Sequence, residues 1–596
     1  MIEKNWQLSP ALAPKIREQF PELPEVVLQL LFNRGLTTQE KIDEFLNPDY
    51  GEDIHDPFLF REMPKAVERI GRAIANDELI IVHGDYDADG VCAAAILIST
   101  LKILGAKHLD VFLPDRELEG YGINKNTIEI IAAANAKLLI SCDCGISNKA
   151  EVELANKLGL DVIITDHHTV PNPPAGGPPP AFAIIHPLMP NENYPDKSLS
   201  GGGVAFKLAQ ALLKNNELGI RNNVSAEKWL LDLVAISTVG DMMPLLGESR
   251  TLVKYGLIVL NKTKRLGLRH LIEIARVNKR NGGGQTLDTH NIGFQIAPRL
   301  NAAGRMKHAN SAYQLLITED NDEALELARE LDHNNQDRQK ETAEMLAQAN
   351  AFVKEEKQEN SPAIFILKDN WPIGLIGLVA ARLCEQFYRP AIVMTRKDGA
   401  IHGSGRSIDE IDIISKIAAL KDLFKKFGGH PQACGFTLKD DTLEKFKKEF
   451  NKLVGEEVKK KKISPVLSID AELKLADITW GLYDLLQKFE PFGEANPEPG
   501  YLIKNITVVN VMPVGAQGQH LKLTVKQDNS PTHKIIGFCF GDENKVGTNW
   551  CAALKPGDKI DVVVQISVNV WNDNRELQLK LIDIKLSDTK PIIPNS

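Results

Sequence analysis

Several short apolar runs of the sequence end in aspartate and histidine. The run at 79–82 leads into HGDYDADG, the run at 137–142 into DCG and the run at 161–165 into DHH, and a later stretch ends in VGD. The titratable residues at these points are His83, Asp85, Asp87, Asp89, Asp143, Asp166, His167, His168 and Asp241. Carboxylate and imidazole together are donors for divalent cations, so the chemistry to consider is metal binding.

The apolar runs also predict the element that positions these residues. Continuous apolar strands at 79–82, 110–113, 137–142, 161–165 and 181–185 alternate with stretches of helical periodicity. This pattern is typical of a parallel sheet that is covered by helices on both faces. Because sites in such sheets form at the carboxyl ends of the strands, we expect the aspartates and histidines to converge at one edge.

A lone carboxylate at a strand end has a simpler role, which is to cap the next helix. Several acidic clusters at one edge, however, repel one another unless a cation lies among them. The donors are mostly carboxylates with imidazole and without thiolate, which suits Mn²⁺ or Mg²⁺. Cys142 and Cys144 are expected in the core, because strand alternation turns them away from Asp143. The number of ligands suggests two ions, and such a centre predicts phosphoester hydrolysis.

Patterning divides the chain into five parts. Residues 1–60 are predicted as short helices, and 61–310 as the α/β domain with the parallel sheet. A polar stretch without Gly or Pro, from Asp322 to about Gln358, predicts one long helix within a connecting part at 311–360. A second, smaller α/β domain is expected at 361–458, and period-two alternation over 463–588 predicts a small antiparallel β-barrel.

Composition limits the classes of protein that fit. The chain has 596 residues and seven scattered cysteines, an odd number that favours free thiols in a reducing cytoplasm. No apolar run approaches the roughly 20 residues of a membrane span, and the N-terminus lacks the apolar core of a signal peptide. The net charge of −9 speaks against nucleic acid. Between 259 and 310, however, ten Lys and Arg stand against two acids, which indicates either a track for a polyanion or a solvated helix face.

The motifs together resemble the DHH phosphoesterase superfamily, which is named for the triplet at 166–168. Nine stretches keep the family's order, namely HGDYDADG, PDRELEGYGI, DCG, TDHH, STVGDMMPL, APRLNAAGRM, GSGRS, FGGHPQACGF and PFGEANPEP. Within the superfamily they are similar to bacterial exonucleases specific for single-stranded DNA. The resemblance implies a metal-dependent 5′→3′ exonuclease that releases 5′-mononucleotides in DNA repair and recombination.

The resemblance also implies roles for the metal-binding residues. Asp143 would bridge two ions, Mn²⁺ or Mg²⁺, and Asp87 would bind the first ion with His83 or Asp85 beside it. The second ion would be held by Asp89, His167 and Asp241. His168 is implied to meet the scissile phosphate or the leaving oxygen as a general acid, or else to orient a ligand from outside the coordination sphere.

The substrate contacts that the resemblance implies fall in both α/β domains. They are Arg116, Arg299, Asn301, Arg305, Ser404, Arg406, Ser407 and His430. Arg116 would meet the 5′ end, and the glycine-rich stretches of a DHH-associated domain would offer N–H groups and arginine to phosphate. The C-terminal barrel resembles an oligonucleotide-binding (OB) fold, which binds single strands. The implied partners are a single-strand-binding protein and a helicase, and the protein itself is expected to be a cytoplasmic monomer.

Two other functions compete with this interpretation. A relative that cleaves short oligoribonucleotides, cyclic dinucleotides or pyrophosphate would hardly need a C-terminal barrel. An inactive scaffold that binds single strands should have lost metal ligands, whereas this sequence keeps every one of them. The sequence therefore favours the exonuclease.

Overall fold

Two compact units, each assembled from separate stretches of chain, make up the structure, which is a computed structural model. It describes residues 4–116, 118–171, 177–215, 224–277, 286–397, 399–461, 463–528, 530–542, 547–571 and 574–587. The first unit combines Thr37–Asp337 with Lys488–Pro497. The second unit combines Met1–Leu36, Arg338–Gln487 and Glu498–Ser596. Among the described residues, no helix has both the length and the apolar character needed to cross a bilayer.

A five-stranded parallel sheet forms the centre of the first unit, which confirms the fold predicted from the apolar runs. The strands in spatial order are Leu109–Phe112, Ile80–His83, Leu138–Cys142, Asp161–Thr165 and Ala183–Ile185. Every pairing between them is parallel. Ile80 and Val82 belong to one buried cluster and Ile81 to another, so helices bury both faces of the sheet. The carboxyl ends of all five strands consequently meet at one edge.

The helices of the first unit carry the residues that complete this edge. Before the long helix they are Gln39–Leu46, Met63–Ala75, Ala88–Ile103, Lys125–Ala133, Lys149–Lys157, Gly201–Lys214, Val224–Lys228, Leu231–Gly240, Gly247–Leu260, Leu266–Ile274, Thr289–Asn291, the π-helix Ile292–Ile296, Ala297–Met306 and Asn310–Ile317, with a 3₁₀ turn at Pro57–Leu59. The helix Ala88–Ile103 is buried on almost every side, which explains why its sequence is apolar all round.

The long helix predicted from residue 322 to about residue 358 is confirmed, and a short helix precedes it in the 311–360 connection. A short helix ends at Ile317, and the long helix spans Asn321–Glu355 with 35 residues. The break between the two helices has a local cause, because an Asp320 carboxylate oxygen accepts the N–H groups of Asp322 and Glu323 at 2.9 and 2.8 Å. An aspartate that bonds the first free N–H groups begins a new helix. The boundary between the two units falls within this long helix.

The second unit contains the smaller α/β domain. Its sheet has the spatial order Phe424–His430, Ala433–Leu438, Ala400–Arg406, Ala391–Lys397 and Ile364–Asp369. Only the pairing of the last two strands is parallel. The helices of this part are Ile373–Phe387, Ile413–Ala419 and Leu443–Lys461, with 3₁₀ turns at Gln358–Asn360, Lys421–Leu423 and Asp440–Thr442.

The C-terminal strands form a hydrogen-bonded ring. In spatial order they are Tyr501–Val514, His520–Lys526, His533–Gly537, Asn574–Leu586 and Lys559–Trp571, and the last strand pairs with the first. All pairings are antiparallel except the one between His533–Gly537 and Asn574–Leu586. The short strand Ala471–Glu472, the 3₁₀ turn Leu475–Asp477 and the helices Trp480–Gln487 and Trp550–Ala553 complete this part. The predicted OB-like pattern is therefore present, with one parallel pair that period-two alternation does not reveal.

The N-terminal segment differs from the prediction of short helices over 1–60. Helices Pro14–Gln19 and Glu25–Asn33 are present, but the segment begins with the strand Asn5–Leu8. This strand pairs in parallel with Val466–Ile469. A four-residue strand whose partner lies so far along the chain leaves no local period to recognise.

Candidate metal centre

The edge at which the parallel strands end carries the predicted aspartates and histidines. His83 is the last residue of its strand, and Asp143 follows directly after another strand with a φ of 60°. Asp87 caps the helix that begins at Ala88, since its side chain accepts two N–H groups of the first turn at 3.0 and 3.2 Å. Asp87 therefore does cap a helix, as the simpler interpretation of a strand-end carboxylate predicts. The same hydrogen bonds hold its carboxylate at this edge of the sheet.

Three overlapping groups of side chains meet at this edge. They are Asp85 with Asp87 and Asp143, Asp89 with His167 and Asp241, and Asp143 with His167 and His168. Within each group the ligand atoms lie within 4.8 Å of one another. The His167 Nε2 atom is 3.1 Å from an oxygen of Asp143 and 3.5 Å from one of Asp241. An oxygen of Asp89 lies 3.6 Å away. The structure thus brings all the predicted ligands except His83 into these groups.

Burial and mutual repulsion make these carboxylates unfavourable as free anions. Burial raises the pKa of Asp241 to about 8, and the charges of Asp89 and Asp87 add to the effect. Burial also raises the pKa of Asp85 and Asp143 well above the usual range, again with neighbouring carboxylates contributing. Because an opposite charge favours the ionised form, divalent cations would relieve this cost.

Two buried atoms at the same edge fit a metal ion. The Nε2 atom of His83 and the Oδ1 atom of Asp85 have no hydrogen-bond partner within the described parts of the chain. Burial lowers the pKa of His83 to about 4, so the imidazole is neutral, as a metal ligand must be. Its Nδ1 atom lies 3.5 Å from the Sγ atom of Cys144. Cys142 and Cys144 are fully buried, in agreement with their predicted place in the core.

Asp89 is held by residues that sequence reasoning missed. Its two carboxylate oxygens accept the N–H groups of Gly201 (2.8 Å) and Gly202 (2.7 Å), at the start of a helix. The hydroxyl of Ser237 donates to it at 2.5 Å. The consecutive glycines after Ser200 were the available signal, because bare N–H groups at a helix start bind anions.

Gly201 also approaches Asp143 too closely to carry a side chain. A Cβ atom at position 201 would lie 2.5 Å from the Asp143 Cβ and 2.6 Å from its Oδ1. We expect Gly201→Ala to displace the carboxylate and to lower the rate of phosphodiester cleavage by about 100-fold, the cost of a displacement on the order of 1 Å. The measurement is kcat at saturating Mn²⁺. Gly293→Ala is the control, because its Cβ would meet nothing nearer than 3.8 Å, and an equal loss in both variants would contradict this role.

His168 is oriented by Asp166 and Tyr121. Its Nδ1 atom lies 2.9 Å from an oxygen of Asp166 and 3.0 Å from the Tyr121 hydroxyl, which also donates to the Asp143 carbonyl at 3.1 Å. Burial lowers the pKa of His168, but the hydrogen bond and charge of Asp166 outweigh this effect and raise it to about 9. Asp166 also accepts the N–H groups of Ile146 and both histidines of the triplet. Asp166 therefore orients both histidines of the triplet. Tyr121 was not among the site residues predicted from the sequence.

Two of the predicted substrate arginines lie by one tyrosine near the cluster. The guanidinium of Arg116 stacks over the Tyr86 ring at 4.2 Å, and its charge lowers the pKa of Asp85 against the larger effect of burial. The charge of Arg305 lowers the pKa of the same tyrosine, against the larger effect of burial. Both arginines thus lie close to the acidic edge.

Arg299 and Asn301 have partners within the protein. Arg299 pairs with Asp332 at 2.9 Å, which ties its helix to the long helix. The side-chain oxygen of Asn301 accepts the N–H of Ala88 at 2.7 Å, at the start of the helix that Asp87 caps. The structure therefore shows a supporting role for both side chains, and their contact with substrate stays a prediction.

The remaining substrate residues lie in the second unit. Arg406 is opposite Ala433, which in turn is opposite His430, so that the three form one row across the sheet. Arg406 donates to the hydroxyl of Ser404 at 3.1 Å. Ser407 instead donates its hydroxyl to the carbonyl of Ile411 at 2.7 Å. The structure thus brings Arg406, Ser404 and His430 to one part of this sheet.

The basic stretch between 259 and 310 is partly structural. Arg265 lies 3.4 Å from the buried Asp232, and the Lys264 ammonium lies 3.8 Å from the centre of the Trp229 ring. Its further members Lys279 and Arg280 lie outside the described residues. A polyanion track along this stretch stays a prediction.

Comparison with known proteins identifies three domains of the chain. The model of the DHH family, N-terminal domain, matches residues 79–238, the DHHA1 domain matches 359–456, and the RecJ OB domain matches 469–583. The parallel sheet with its acidic edge and these matches define a member of the DHH family. A wider likeness covers nearly the whole chain. It is 36% identical over 588 residues, 98% of this chain and 71% of the relative, to the single-stranded-DNA-specific exonuclease RecJ of Bacillus subtilis. The chain belongs to the RecJ family.

A second relative and a solved structure agree with this assignment. The single-stranded-DNA-specific exonuclease RecJ of Escherichia coli is 32% identical over 586 residues, 94% of this chain and 96% of the relative. The crystal structure of RecJ from Thermus thermophilus in complex with Mn²⁺ matches with a TM-score of 0.80 at 28% identity. That match covers 98% of this chain and 80% of the other. The family resemblance inferred from the nine motifs is confirmed.

Proposed function

We propose that this protein is an exonuclease that hydrolyses single-stranded DNA from the 5′ end and releases 5′-mononucleotides, with two Mn²⁺ or Mg²⁺ ions, in DNA repair and recombination. The observation that carries the proposal is the convergence of Asp85, Asp87, Asp89, Asp143 and Asp241 with two histidines at one sheet edge. Membership in the RecJ family supports the choice of substrate.

The ligand roles follow from the three groups. Asp143 belongs to two of them, so in this proposal it would be shared by both ions, with Asp85 and Asp87 as further ligands of one ion and Asp89 and Asp241 as further ligands of the other. His83, whose Nε2 atom has no hydrogen-bond partner among the described residues, would join the first ion, and His167 would join the second. These residues would hold divalent ions, whose chemistry would be to lower the pKa of water and to offset charge on a phosphate.

His168 is the general acid in this proposal. Its Nδ1 atom is bonded to the Asp166 carboxylate, which the hydrogen bond and charge of His168 keep ionised against the effect of burial. The hydrogen bond and charge of Asp166 raise the pKa of His168 and so favour the protonated imidazole. The proton on Nε2 is then available for the leaving oxygen, because Nδ1 is already engaged.

The substrate contacts complete the proposal. Residues 61–310 would hold the ions, and Arg116 would receive the 5′ phosphate, since arginine binds phosphate through two parallel hydrogen bonds. Residues 361–458 would bind the strand through Ser404, Arg406, Ser407 and His430. Arg299, Asn301 and Arg305 would line its path. Residues 463–588 would hold the single strand by stacking and charge. The proposed partners are a single-strand-binding protein and a helicase. The proposal also places the protein in the cytoplasm, as a monomer.

Digestion of end-labelled DNA tests the proposal. Single-stranded DNA labelled at either end is incubated with the protein and Mn²⁺, beside RNA and duplex DNA of the same sequence. We expect the 5′ label to appear at once as mononucleotide while the 3′ label stays on shortening strands, and RNA and duplex to remain intact. Immediate release of the 3′ label would overturn the polarity, and cleavage of RNA alone would overturn the substrate.

A further inference from the structure

The segment 488–497 lies in the sequence between two strands of the OB part, Ala471–Glu472 and Tyr501–Val514, yet it is part of the first unit. It contains most of the PFGEANPEP motif, to which no function has been assigned above. Backbone carbonyls of the segment accept hydrogen bonds from other parts of the first unit. The N–H of Leu245 donates to the Glu494 carbonyl at 2.8 Å, and the hydroxyl of Thr289 donates to the Phe492 carbonyl at 2.6 Å.

A buried arginine holds the start of this segment. Arg250 is 1% exposed, and its guanidinium donates to the carbonyls of Lys488 (2.9 Å), Glu490 (2.8 Å) and Pro491 (3.1 Å). It also donates to the carbonyl of Phe45. Removing acceptors from a buried charge is expensive, so the guanidinium specifies the path of the segment's backbone.

The segment is also braced internally. The side chain of Asn496 is fully buried, and its Nδ2 atom donates to the carbonyls of Phe489 (2.8 Å) and Pro491 (2.9 Å). The Phe489 ring, fully buried as well, packs edge-on against Phe45 with centroids 5.3 Å apart. These contacts give the segment one defined shape.

The part of the first unit that this segment contacts carries a metal-binding candidate. Asp241 follows the helix Leu231–Gly240, and the next helix begins at Gly247. Leu245 is the most buried residue of the short connection between them, with 1% exposure. Its N–H is bonded to the segment, and a Cβ at Gly493 would lie only 2.6 Å from its side chain.

We propose that the 488–497 segment is a positioning element for Asp241. The segment fixes the position of Leu245 and of the helix that carries Arg250. It thereby determines the backbone conformation of the connection 241–246, from which the Asp241 side chain reaches the other ligands. The inference rests on the two-ion centre of the proposed function. It adds that one of the two ions depends on residues which follow the DHH-associated domain in the sequence.

Direct titration with Mn²⁺ tests this inference, with electron paramagnetic resonance to count free and bound ions in the full-length protein. Thr289→Val removes the hydroxyl that bonds the segment, and Thr289→Ser keeps it. We expect Thr289→Val to weaken the binding of one Mn²⁺ by about 10-fold while the other ion binds normally, in the range found when a group that orients a metal ligand is lost. Thr289→Ser should bind both ions as the wild type does.

A second pair of variants separates positioning from loss of stability. Asn496→Ala should shift the same Mn²⁺ affinity, and excess Mn²⁺ should restore kcat. Leu486→Ala truncates a buried residue just before the segment and should lower the unfolding midpoint without changing Mn²⁺ affinity. In an Asp241→Asn background, Thr289→Val should have little further effect, because both changes act on one ligand.

The outcomes distinguish this inference from the proposed function. If the wild type binds two Mn²⁺ and Thr289→Val binds both with unchanged affinity, the positioning role is wrong and the metal centre stands. If the wild type binds no Mn²⁺, the proposed metal centre is wrong as well. A further loss of affinity when Thr289→Val is added to Asp241→Asn would show that the segment acts elsewhere.

Discussion

Asp143→Ala is expected to abolish the cleavage of single-stranded DNA, with a fall in kcat of at least about 1,000-fold, the upper range for removal of one strong electrostatic contact to a transition state. The reason is that Asp143 belongs both to the group with Asp85 and to the group with His167, so that its loss affects both ions. The measurement is release of 5′ label in excess Mn²⁺, together with a count of bound Mn²⁺.

Asp110→Asn is the matched control for this prediction. Asp110 is an exposed aspartate on the edge strand of the same sheet, and it belongs to none of the three ligand groups. We expect this variant to cleave DNA at the wild-type rate. If Asp143→Ala kept a substantial part of the activity, the bridging role would be wrong.

Removal of the metal is expected to destabilise the protein, and more so as the pH rises. In the metal-free protein the pKa of Asp241 is raised from 3.8 to about 8. Between these values the folded chain keeps a proton that the unfolded chain has released. The free energy of unfolding therefore falls with rising pH, by up to about 1.4 kcal/mol per pH unit for each such group. Asp85 and Asp143 shift in the same direction.

Denaturant unfolding with excess chelator or with Mn²⁺, from about pH 6 to about pH 8, measures this effect. We expect the stabilisation by Mn²⁺ to grow across the range, because bound cations favour the ionised carboxylates. Metal-free Asp143→Asn should be more stable than the metal-free wild type and should show a weaker pH dependence. Identical pH dependence in the two proteins would contradict the mutual repulsion between Asp143 and its neighbouring carboxylates.

The sheet and its acidic edge were predictable because their signals are local. Each strand is a continuous apolar run, and the acidic motifs begin within a few residues of the strand ends, as at Asp143 and Asp166, which follow their strands directly. The glycines after Ser200 could indicate an anion-binding helix start, but not that Asp89 is the anion, because Gly202 is 113 residues from Asp89 and Ser237 is 148 residues from it. Nothing in the spacing of such residues shows that folding will bring them together.

The triplet at 166–168 shows a second limit of sequence patterns. The motif marks the place of the site, but it does not separate the role of Asp166, which orients its neighbours, from that of His167, which lies among the carboxylates. Asn301 is similar, because the predicted substrate residue turns out to accept the N–H of Ala88. Side-chain roles of this kind depend on directions that only the folded backbone sets.

Each of the two units contains stretches of chain that are separated in the sequence by stretches of the other unit, and this order has a consequence for how the gene can recombine. Lys488–Pro497 belongs to the unit of the parallel sheet, while Asn5–Leu8 extends a strand pair with Val466–Ile469 in the other. Recombination that exchanged the coding region for 463–588 alone would place an unmatched segment against Arg250 and an unmatched partner strand against Asn5–Leu8. The segments on either side of the parallel-sheet domain are thus expected to descend together with it, and substitutions at Leu245 and Gly493 to covary among relatives.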